Sequence, residues 1–215
     1  MKTIALFGAS GKTGKPFVNK ALEKGYKIQA LVRNPDNFPI KHPNLTVIKG
    51  DILNQNDVNQ AITGSDAVIS LIGHVKGSPE NLQSEAMHLV ISAMKNNGIK
   101  RLISLTGGGV RDEQNDKPKF IDKLIPFIMK NLAGKGSRNA LLDGRAHAEI
   151  IRNSGLDWTI VRGPMLTEEP AKGTYQVGNV GELKGIKLTR EDLADFILKT
   201  LETDTYIHEM PFVVN

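Results

Sequence analysis

The sequence contains no cysteine, few aromatic residues and no long apolar run. Without cysteine, the chain cannot form disulfide bonds, bind a metal through thiolates or use a thiol nucleophile. Aromatic residues make up 5% of the chain, too few for the stacking platforms of single-stranded nucleic-acid binders, so we expect no nucleic-acid partner. Nowhere do eighteen apolar residues follow one another, and the N-terminus lacks a signal-peptide layout. We therefore expect no membrane span and a cytoplasmic protein.

The charge balance leans towards basic residues. Lys and Arg number 28 against 23 Asp and Glu, which gives a formal net charge of +5. This excess fits either a solvated basic surface or an affinity for small anions such as nucleotide phosphates. With 215 residues, of which 40% are hydrophobic, the chain is long enough to bury one sizeable core. We expect a single domain over residues 1–215.

Short apolar runs alternate with helical patterns along the chain. Runs that predict strands cover residues 3–7, 28–32, 45–48, 67–72, 102–105 and 158–161, the last beginning at Trp158, a predicted core residue. Several of them lack polar alternation, as strands covered on both faces do. This order predicts an α/β fold of the Rossmann type, a doubly wound parallel sheet, with a small C-terminal extension that ends in a strand over 212–214.

The segments between the runs have helical periodicity. One apolar stripe over residues 82–97 consists of Ala86, Leu89, Val90, Ala93 and Met94. A second helix over 139–153 is predicted to bury Leu141, Leu142, Ile150 and Ile151, and Thr189 is predicted to cap a last helix. Residues 107–137 interrupt this rhythm, so we expect an inserted segment near the cleft.

The strongest functional signal is the glycine-rich stretch Gly8-Ala9-Ser10-Gly11-Lys12-Thr13-Gly14, which follows the first strand and opens the first helix. In that context Gly8 permits the sharp turn, Gly11 lets the backbone approach a pyrophosphate, and Gly14 lets the helix pack closely. Free amides at the helix N-terminus, with the hydroxyls of Ser10 and Thr13, then bind the phosphates. The spacing differs from that of a Walker phosphate loop.

The end of the second strand predicts which dinucleotide binds. Arg33 lies nineteen residues after Gly14, where sites for the unphosphorylated cofactor usually carry an acid that binds the ribose. A guanidinium suits a 2′-phosphate, so we predict NADP(H), with Lys12 adding a second positive charge. Asp36, three residues further on, is an alternative partner for a ribose.

Other candidates follow the third and fourth strands. Asp51 and Ile52 follow the third strand, and Leu71, Ile72 and Gly73 end the fourth, at the sheet edge where α/β proteins bind ligands. Asp51 either accepts a hydrogen bond from the adenine amino group or caps a helix that begins near Leu53.

The chain resembles the atypical short-chain dehydrogenase/reductase superfamily. The resemblance is carried by the motifs described above and by the stretch Ser154-Gly155-Leu156-Asp157-Trp158-Thr159-Ile160-Val161-Arg162. Within this superfamily, the chain is similar to the NmrA-like NAD(P)H-binding group, which includes the biliverdin-IXβ/flavin reductases. The resemblance implies that the nicotinamide lies between two segments, Thr106 and Gly107 on one side and the loop of Pro164, Met165 and Leu166 on the other. The three residues of this loop are the expected substrate-binding residues. Met165 and Leu166 fit a core position as well.

The chain also departs from this superfamily. Members with the full catalytic set carry Tyr-x-x-x-Lys on the helix before the sixth strand, and the corresponding positions here are Leu141 and Arg145. The usual serine after the fifth strand falls on Gly107. Carbonyl reduction needs a proton donor beside the forming alkoxide, so ordinary ketone chemistry is disfavoured. Thr106 and Arg145 remain the candidates for orienting the nicotinamide or the acceptor.

Hydride transfer to a conjugated acceptor places smaller demands on the protein. A flavin, a quinone or a linear tetrapyrrole delocalises the incoming charge and can take its proton from water. The sequence therefore predicts an NADPH-dependent oxidoreductase acting on such an acceptor, as a monomer or homodimer. The alternative is a non-catalytic, NADP(H)-sensing regulatory protein of the NmrA type.

Asp143 and His147 lie four residues apart on one predicted helix face. They can form an acid–base pair or bind a metal, but no third ligand is evident. The spacing favours an exposed pair and no metal site.

Overall fold

The computed structural model describes residues 2–131 and 134–215, and within the helix over 120–131 it describes the side chains of residues 120, 122, 124, 127, 128 and 131. Residue 1 of the predicted domain and residues 132 and 133 of the predicted inserted segment lie outside the described residues. None of the described helices combines the length and the apolar character that crossing a membrane requires.

Strands and helices alternate through most of the chain. The strands are β1 (Thr3–Phe7), β2 (Lys27–Val32), β3 (Leu45–Lys49), β4 (Ala67–Ser70), β5 (Arg101–Gly107), β6 (Asp157–Gly163), β7 (Met165–Thr167), β8 (Gln176–Gly178), β9 (Lys187–Thr189) and β10 (Phe212–Val214). The helices are α1 (Gly14–Glu23), α2 (Gln55–Ile62), α3 (Leu82–Asn96), α4 (Phe120–Asn131), α5 (Lys135–Arg152) and α6 (Arg190–Thr203). All six runs predicted as strands are confirmed.

Eight of the described strands form one sheet in the order β3-β2-β1-β4-β5-β6-β10-β8. The pairs are parallel except β10 with β8, and β7 pairs with β9 separately. The chain runs outward from β1 through β2 to β3, then crosses over and runs outward again from β4. The order therefore reverses between β1 and β4, the point at which doubly wound sheets bind ligands.

Apolar side chains cover both faces of this sheet. Val68 of β4 packs into a cluster with Val90 of α3, whereas its neighbour Ile69 faces the opposite cluster, which contains Phe17 of α1 and Ile197 of α6. Trp158 belongs to the first cluster and is 7% exposed, so its predicted place in the core is confirmed.

The helices agree with the predictions only in part. Thr189 caps α6 as predicted, since its hydroxyl accepts a hydrogen bond from the N–H of Asp192 at 3.1 Å. Leu142, however, is 38% exposed, so its predicted burial is wrong. Leu141 faces the core instead, and because an α-helix turns about 100° per residue, its neighbour is rotated towards solvent.

Candidate functional site

A cleft of about 670 Å³ runs along the carboxyl ends of β1, β2, β3 and β4, across the point where the strand order reverses. The predicted cofactor residues that line it are Gly8, Ser10, Gly11, Lys12, Thr13, Arg33, Asp51, Ile52, Leu71, Ile72 and Gly73. The fold thus brings together residues from four strand ends that are up to 65 positions apart in the sequence.

The glycine turn is built as the motif predicts. Gly8 has a φ of +87°, and a Cβ there would lie 2.7 Å from the carbonyl oxygen of Leu71. Gly14 packs still more closely, since its Cβ would lie 2.1 Å from the carbonyl oxygen of Gly8. Only glycine fits such contacts, and they hold the N-terminus of α1 directly against the turn.

This turn leaves main-chain donors free. The N–H groups of Lys12, Thr13 and Gly14 have no hydrogen-bond partner among the residues that the structure describes, and the hydroxyl of Thr13 forms no capping bond to α1. Unpaired amides at a helix N-terminus carry partial positive charge and bind phosphate oxygens. The turn therefore fits the pyrophosphate of a dinucleotide.

Lys12 has a partner of its own. Its ammonium forms an ion pair with Glu168, on the segment after β7, and this contact lowers the pKa of Glu168 below its ordinary value. Both side chains are largely exposed, so the pair is weak and a phosphate that reaches Lys12 competes with Glu168.

Arg33 lies directly after β2, is exposed and lines the cleft. No ion pair to it is found within the described part of the chain, so its guanidinium is available to an anion. Asp36, the alternative ribose partner, lies in a short 3-10 helix over Pro35–Asn37 and does not line the cleft. This arrangement favours a phosphate-bearing ribose over a ribose diol.

Asp51 does not cap a helix. Asn54 caps α2, accepting hydrogen bonds from the N–H groups of Asn56 and Asp57, so of the two alternatives for Asp51 the helix cap is wrong. One carboxylate oxygen of Asp51 accepts from the N–H of Leu53 at 2.9 Å, and the side chain is exposed at the β3 end of the cleft. The other oxygen remains available there.

A second pocket of about 480 Å³ lies beyond β5, at the carboxyl end of β6 and the start of β10. Its walls are mostly apolar or glycine and include Gly107, Gly108, Gly109, Gly163, Pro164, Met165, Val180, Ile186 and Phe212. Of the predicted substrate-binding residues, Pro164 and Met165 line this pocket. Leu166 instead packs into the core layer beneath it.

The two residues predicted to orient the reactants are separated. Thr106 is buried at the end of β5, against the backbone of Gly144, whose Cβ would lie 3.0 Å from the threonine oxygen. Arg145 is exposed and lines a different cavity with Val110 and Arg111. The structure therefore does not bring Arg145 to the cleft or to the second pocket.

Asp143 and His147 are not an exposed pair; that prediction is wrong. Asp143 is 4% exposed and His147 is 1% exposed, because this face of α5 packs against β5 and α3. Nε2 of His147 lies 2.9 Å from the hydroxyl of Ser104, and Nδ1 has no partner among the described residues. The spacing identified a shared face correctly, but burial depends on what covers that face.

The burial of His147 has a consequence for acid stability. Desolvation lowers the pKa of His147 from 6.5 to about 4, against the opposing charge of Asp143. Since the folded state resists protonation while the unfolded state accepts it, stability is full above pH 6.5 and falls as the pH drops towards 4. The loss is about 3 kcal/mol.

Urea unfolding at several pH values between 4 and 7 measures this loss. We expect His147→Gln to flatten the dependence over this range, because glutamine does not titrate. The exposed histidine His88 provides the control, since His88→Gln keeps the slope of the native protein. An unchanged slope in His147→Gln contradicts the assignment.

Two further residues of the cleft carry no signal in the sequence. Arg190, the first residue of α6, lines the cleft and donates to the carbonyl oxygen of Leu166 at 3.0 Å, while its Nε is buried with no partner in the described part of the chain. His74, four residues after β4, also lines the cleft. Neither residue belongs to a sequence motif, so their place in the cleft is seen only once the fold brings these chain segments together.

The chain matches known proteins over most of its length. The sequence model of a family described as NAD(P)H-binding matches residues 8–204, from the glycine turn to the end of α6. Dihydroflavonol 4-reductase of Solanum lycopersicum is 26% identical over 193 residues, which cover 77% of this chain and 51% of that protein. The chain therefore spans about half the length of this relative.

Two solved structures share the fold. A Rossmann-fold NAD(P)-binding family protein from Shigella flexneri superposes with a TM-score of 0.73 at 26% identity, over 99% of this chain and 93% of that one. A short-chain dehydrogenase/reductase from Veillonella parvula, in complex with NADP, gives a TM-score of 0.78 at 21% identity, over 100% of this chain and 94% of that one.

Proposed function

We propose that this chain, which belongs to the NAD(P)H-binding family, is an NADPH-dependent reductase that transfers a hydride to a conjugated acceptor such as a flavin, a quinone or a linear tetrapyrrole. The observation that carries the proposal is the pairing of two sites on neighbouring strand ends. One is a cleft with free amides and an unpaired guanidinium among the described residues, and the other is an apolar pocket directly beyond β5.

The residues of the cleft fit the parts of NADPH. The amides after Gly11 bind the pyrophosphate, Arg33 the 2′-phosphate and Asp51 the adenine, with Arg190 as a further cation near the phosphates. The neighbouring structure in complex with NADP supports this choice of cofactor. NADPH would supply the hydride when bound, and Thr106 and Gly107 end β5, the strand between the two sites.

The positions of the tyrosines support a conjugated acceptor. The chain has three, and all are described. Tyr175 donates to Asp195 at 3.0 Å, Tyr206 packs against Phe196, and Tyr26 packs against the core near α1, so none of them lines the cleft or the second pocket. A ketone would lack a phenolic proton donor, whereas a flat conjugated ring needs alignment in a dry pocket.

The inserted segment contributes to the acceptor pocket. Gly107, Gly108 and Gly109 line one wall, and Asp122 of α4 lies at the same pocket. We propose that residues 107–137 shape the acceptor site within a single domain of residues 1–215.

The test combines cofactor binding with turnover. We expect the protein to oxidise NADPH only when a flavin or a water-soluble quinone is present, and the nicotinamide absorbance measures this oxidation. In calorimetry, we expect NADPH to bind more tightly than NADH. We expect Arg33→Ala to weaken NADPH binding roughly ten- to a hundredfold and to leave NADH binding unchanged, because one charge-assisted contact of about 1.5–3 kcal/mol is lost.

Lys49→Ala is the matched control, since Lys49 is an exposed cation at the end of the neighbouring strand β3 that does not line the cleft. Equal affinity of the native protein for the two cofactors contradicts the role of Arg33. Tight NADPH binding without oxidation by any acceptor favours the NADP(H)-sensing regulator instead.

A further inference from the structure

His74 occupies the β4 end of the cleft, next to β5, the strand that ends at Gly107. Its Nε2 lies 2.7 Å from a carboxylate oxygen of Asp143 on α5. The imidazole is 12% exposed and the carboxylate 1%, so the pair joins a buried charge to a side chain that reaches the cleft. This is the arrangement in which a carboxylate orients a reactive imidazole.

Asp143 is held by donors on all sides. It accepts from the N–H of Gln83 at 2.6 Å, and from the N–H of Ser84 at 3.0 Å and its hydroxyl at 2.5 Å. Burial alone would raise the pKa of Asp143, but these hydrogen bonds and the one from His74 hold it below the ordinary value. The carboxylate is therefore charged and accepts only, so Nε2 of His74 must carry the proton of this contact.

Because Nε2 is engaged with Asp143, Nδ1 is the ring nitrogen that remains, and it can donate a proton only in the imidazolium form. Nδ1 of His74 makes no hydrogen bond within the described part of the chain, in a ring that lines the cleft wall. The pairing of β4 with β5 ends with Ser70 beside Ser104, and Gly144, the neighbour of Asp143, lies against Thr106, so the pair of His74 and Asp143 lies near the carboxyl end of β5. With the phosphates at the glycine turn and the acceptor in the second pocket, as the proposed function has them, the nicotinamide would lie between the two sites, at this junction.

We propose that His74 is the proton donor of the reduction and that Asp143 is its positioning residue, an inference that rests on the proposed function. A hydride leaves NADPH for a carbon or nitrogen of the acceptor, which gains two electrons. The proton on Nδ1 of the imidazolium passes to the acceptor oxygen or nitrogen that receives the negative charge. The products are NADP⁺, the reduced acceptor and neutral His74, which regains its proton from solvent.

The experiment compares acceptors that do and do not need a proton. A quinone requires one, whereas the N-methylacridinium cation becomes neutral on taking a hydride and requires none. We expect His74→Ala to lower kcat with the quinone about a hundredfold, the low end of general acid catalysis, because water replaces part of the function. The rate with N-methylacridinium and the Kd for NADPH stay within threefold of the native values.

Two further variants separate chemistry from structure. Added imidazole restores quinone turnover in His74→Ala, since it occupies the vacated space and carries a proton. His74→Gln keeps a donor for Asp143 but cannot transfer a proton, so it is as slow as His74→Ala and is not rescued. His88→Ala, on the exposed face of α3, keeps the native rate.

Native quinone turnover in both His74 variants overturns the inference and leaves the proposed function standing. Equal losses with both acceptors and no rescue by imidazole also overturn it, because they indicate a structural role. If the native protein binds NADPH but reduces no acceptor, the proposed function itself fails, and the role of His74 fails with it.

Discussion

Gly14→Ala is expected to weaken NADPH binding about a hundredfold, because the new methyl group would lie 2.1 Å from the carbonyl oxygen of Gly8 and 2.6 Å from that of Ala9. Neither oxygen can move without shifting the turn away from α1. The free amides of Lys12 and Thr13 then no longer point at one phosphate position, and two charge-assisted hydrogen bonds at about 1.5 kcal/mol each are lost. Calorimetric titration with NADPH measures the effect.

Gly136→Ala is the control for this change. Gly136 lies in the first turn of α5, where a Cβ meets nothing within 4 Å, so alanine is neutral or slightly stabilising. Circular dichroism establishes that Gly14→Ala folds before affinity is compared. Unchanged affinity in folded Gly14→Ala contradicts a phosphate site at this turn.

Arg162→Met is expected to cost about 3–5 kcal/mol of the free energy of unfolding, the largest stability loss that we predict. Arg162 is fully buried, and its guanidinium forms two hydrogen bonds to Asp116, at 2.6 and 3.0 Å, with the carboxylate 2% exposed. Its Nε also donates to the carbonyl oxygen of Met210 at 2.7 Å. Methionine leaves the Asp116 carboxylate buried without its counter-charge.

This pair holds the second pocket together. Asp116 also accepts from the N–H groups of Asp112 and Val180, so one carboxylate ties the segment after β5 to β6 and to the segment after β8. We therefore expect Arg162→Met to impair acceptor binding more than NADPH binding.

Chemical denaturation measures the loss of unfolding free energy. A double-mutant cycle with Asp116→Asn assigns this loss to the pair, because we expect the sum of the two single losses to exceed the loss in the double variant. Arg152→Ala is the control: Arg152 pairs with exposed Glu149 one helical turn away, a solvent-screened contact that contributes little to stability. A loss in Arg162→Met no larger than this contradicts a structural role for the buried pair.

Local patterns in the sequence predicted the parts of the fold that depend on neighbouring residues. The apolar runs gave all six major strands, the glycine spacing gave the turn before α1, and Thr189 gave the cap of α6. The match of the NAD(P)H-binding family over residues 8–204 confirms the NAD(P)H-binding family that these motifs predicted. Each of these features depends on the backbone conformation of a few neighbouring residues. Local composition and residue spacing therefore predict it directly.

The same reasoning was wrong where burial decided the outcome. Asp143 and His147 looked like a solvated pair because polar residues four apart on a helix are usually exposed. Their burial required α3 and β5 to cover that face, and nothing within α5 signals this. The predicted burial of Leu142 was wrong for the opposite reason, because an apolar residue beside the buried stripe can still point towards solvent.

By itself, then, the sequence determined a doubly wound sheet, a glycine-rich turn between β1 and α1, and an arginine directly after β2. Tertiary structure decided which distant groups meet: His74 with Asp143, 69 residues apart, and Asp116 with Arg162, 46 residues apart. Such contacts follow from how strands are ordered in the sheet and which helices cover them. A pairing of buried charges is stable only when the whole fold excludes water around it, and that condition cannot be read from either partner alone.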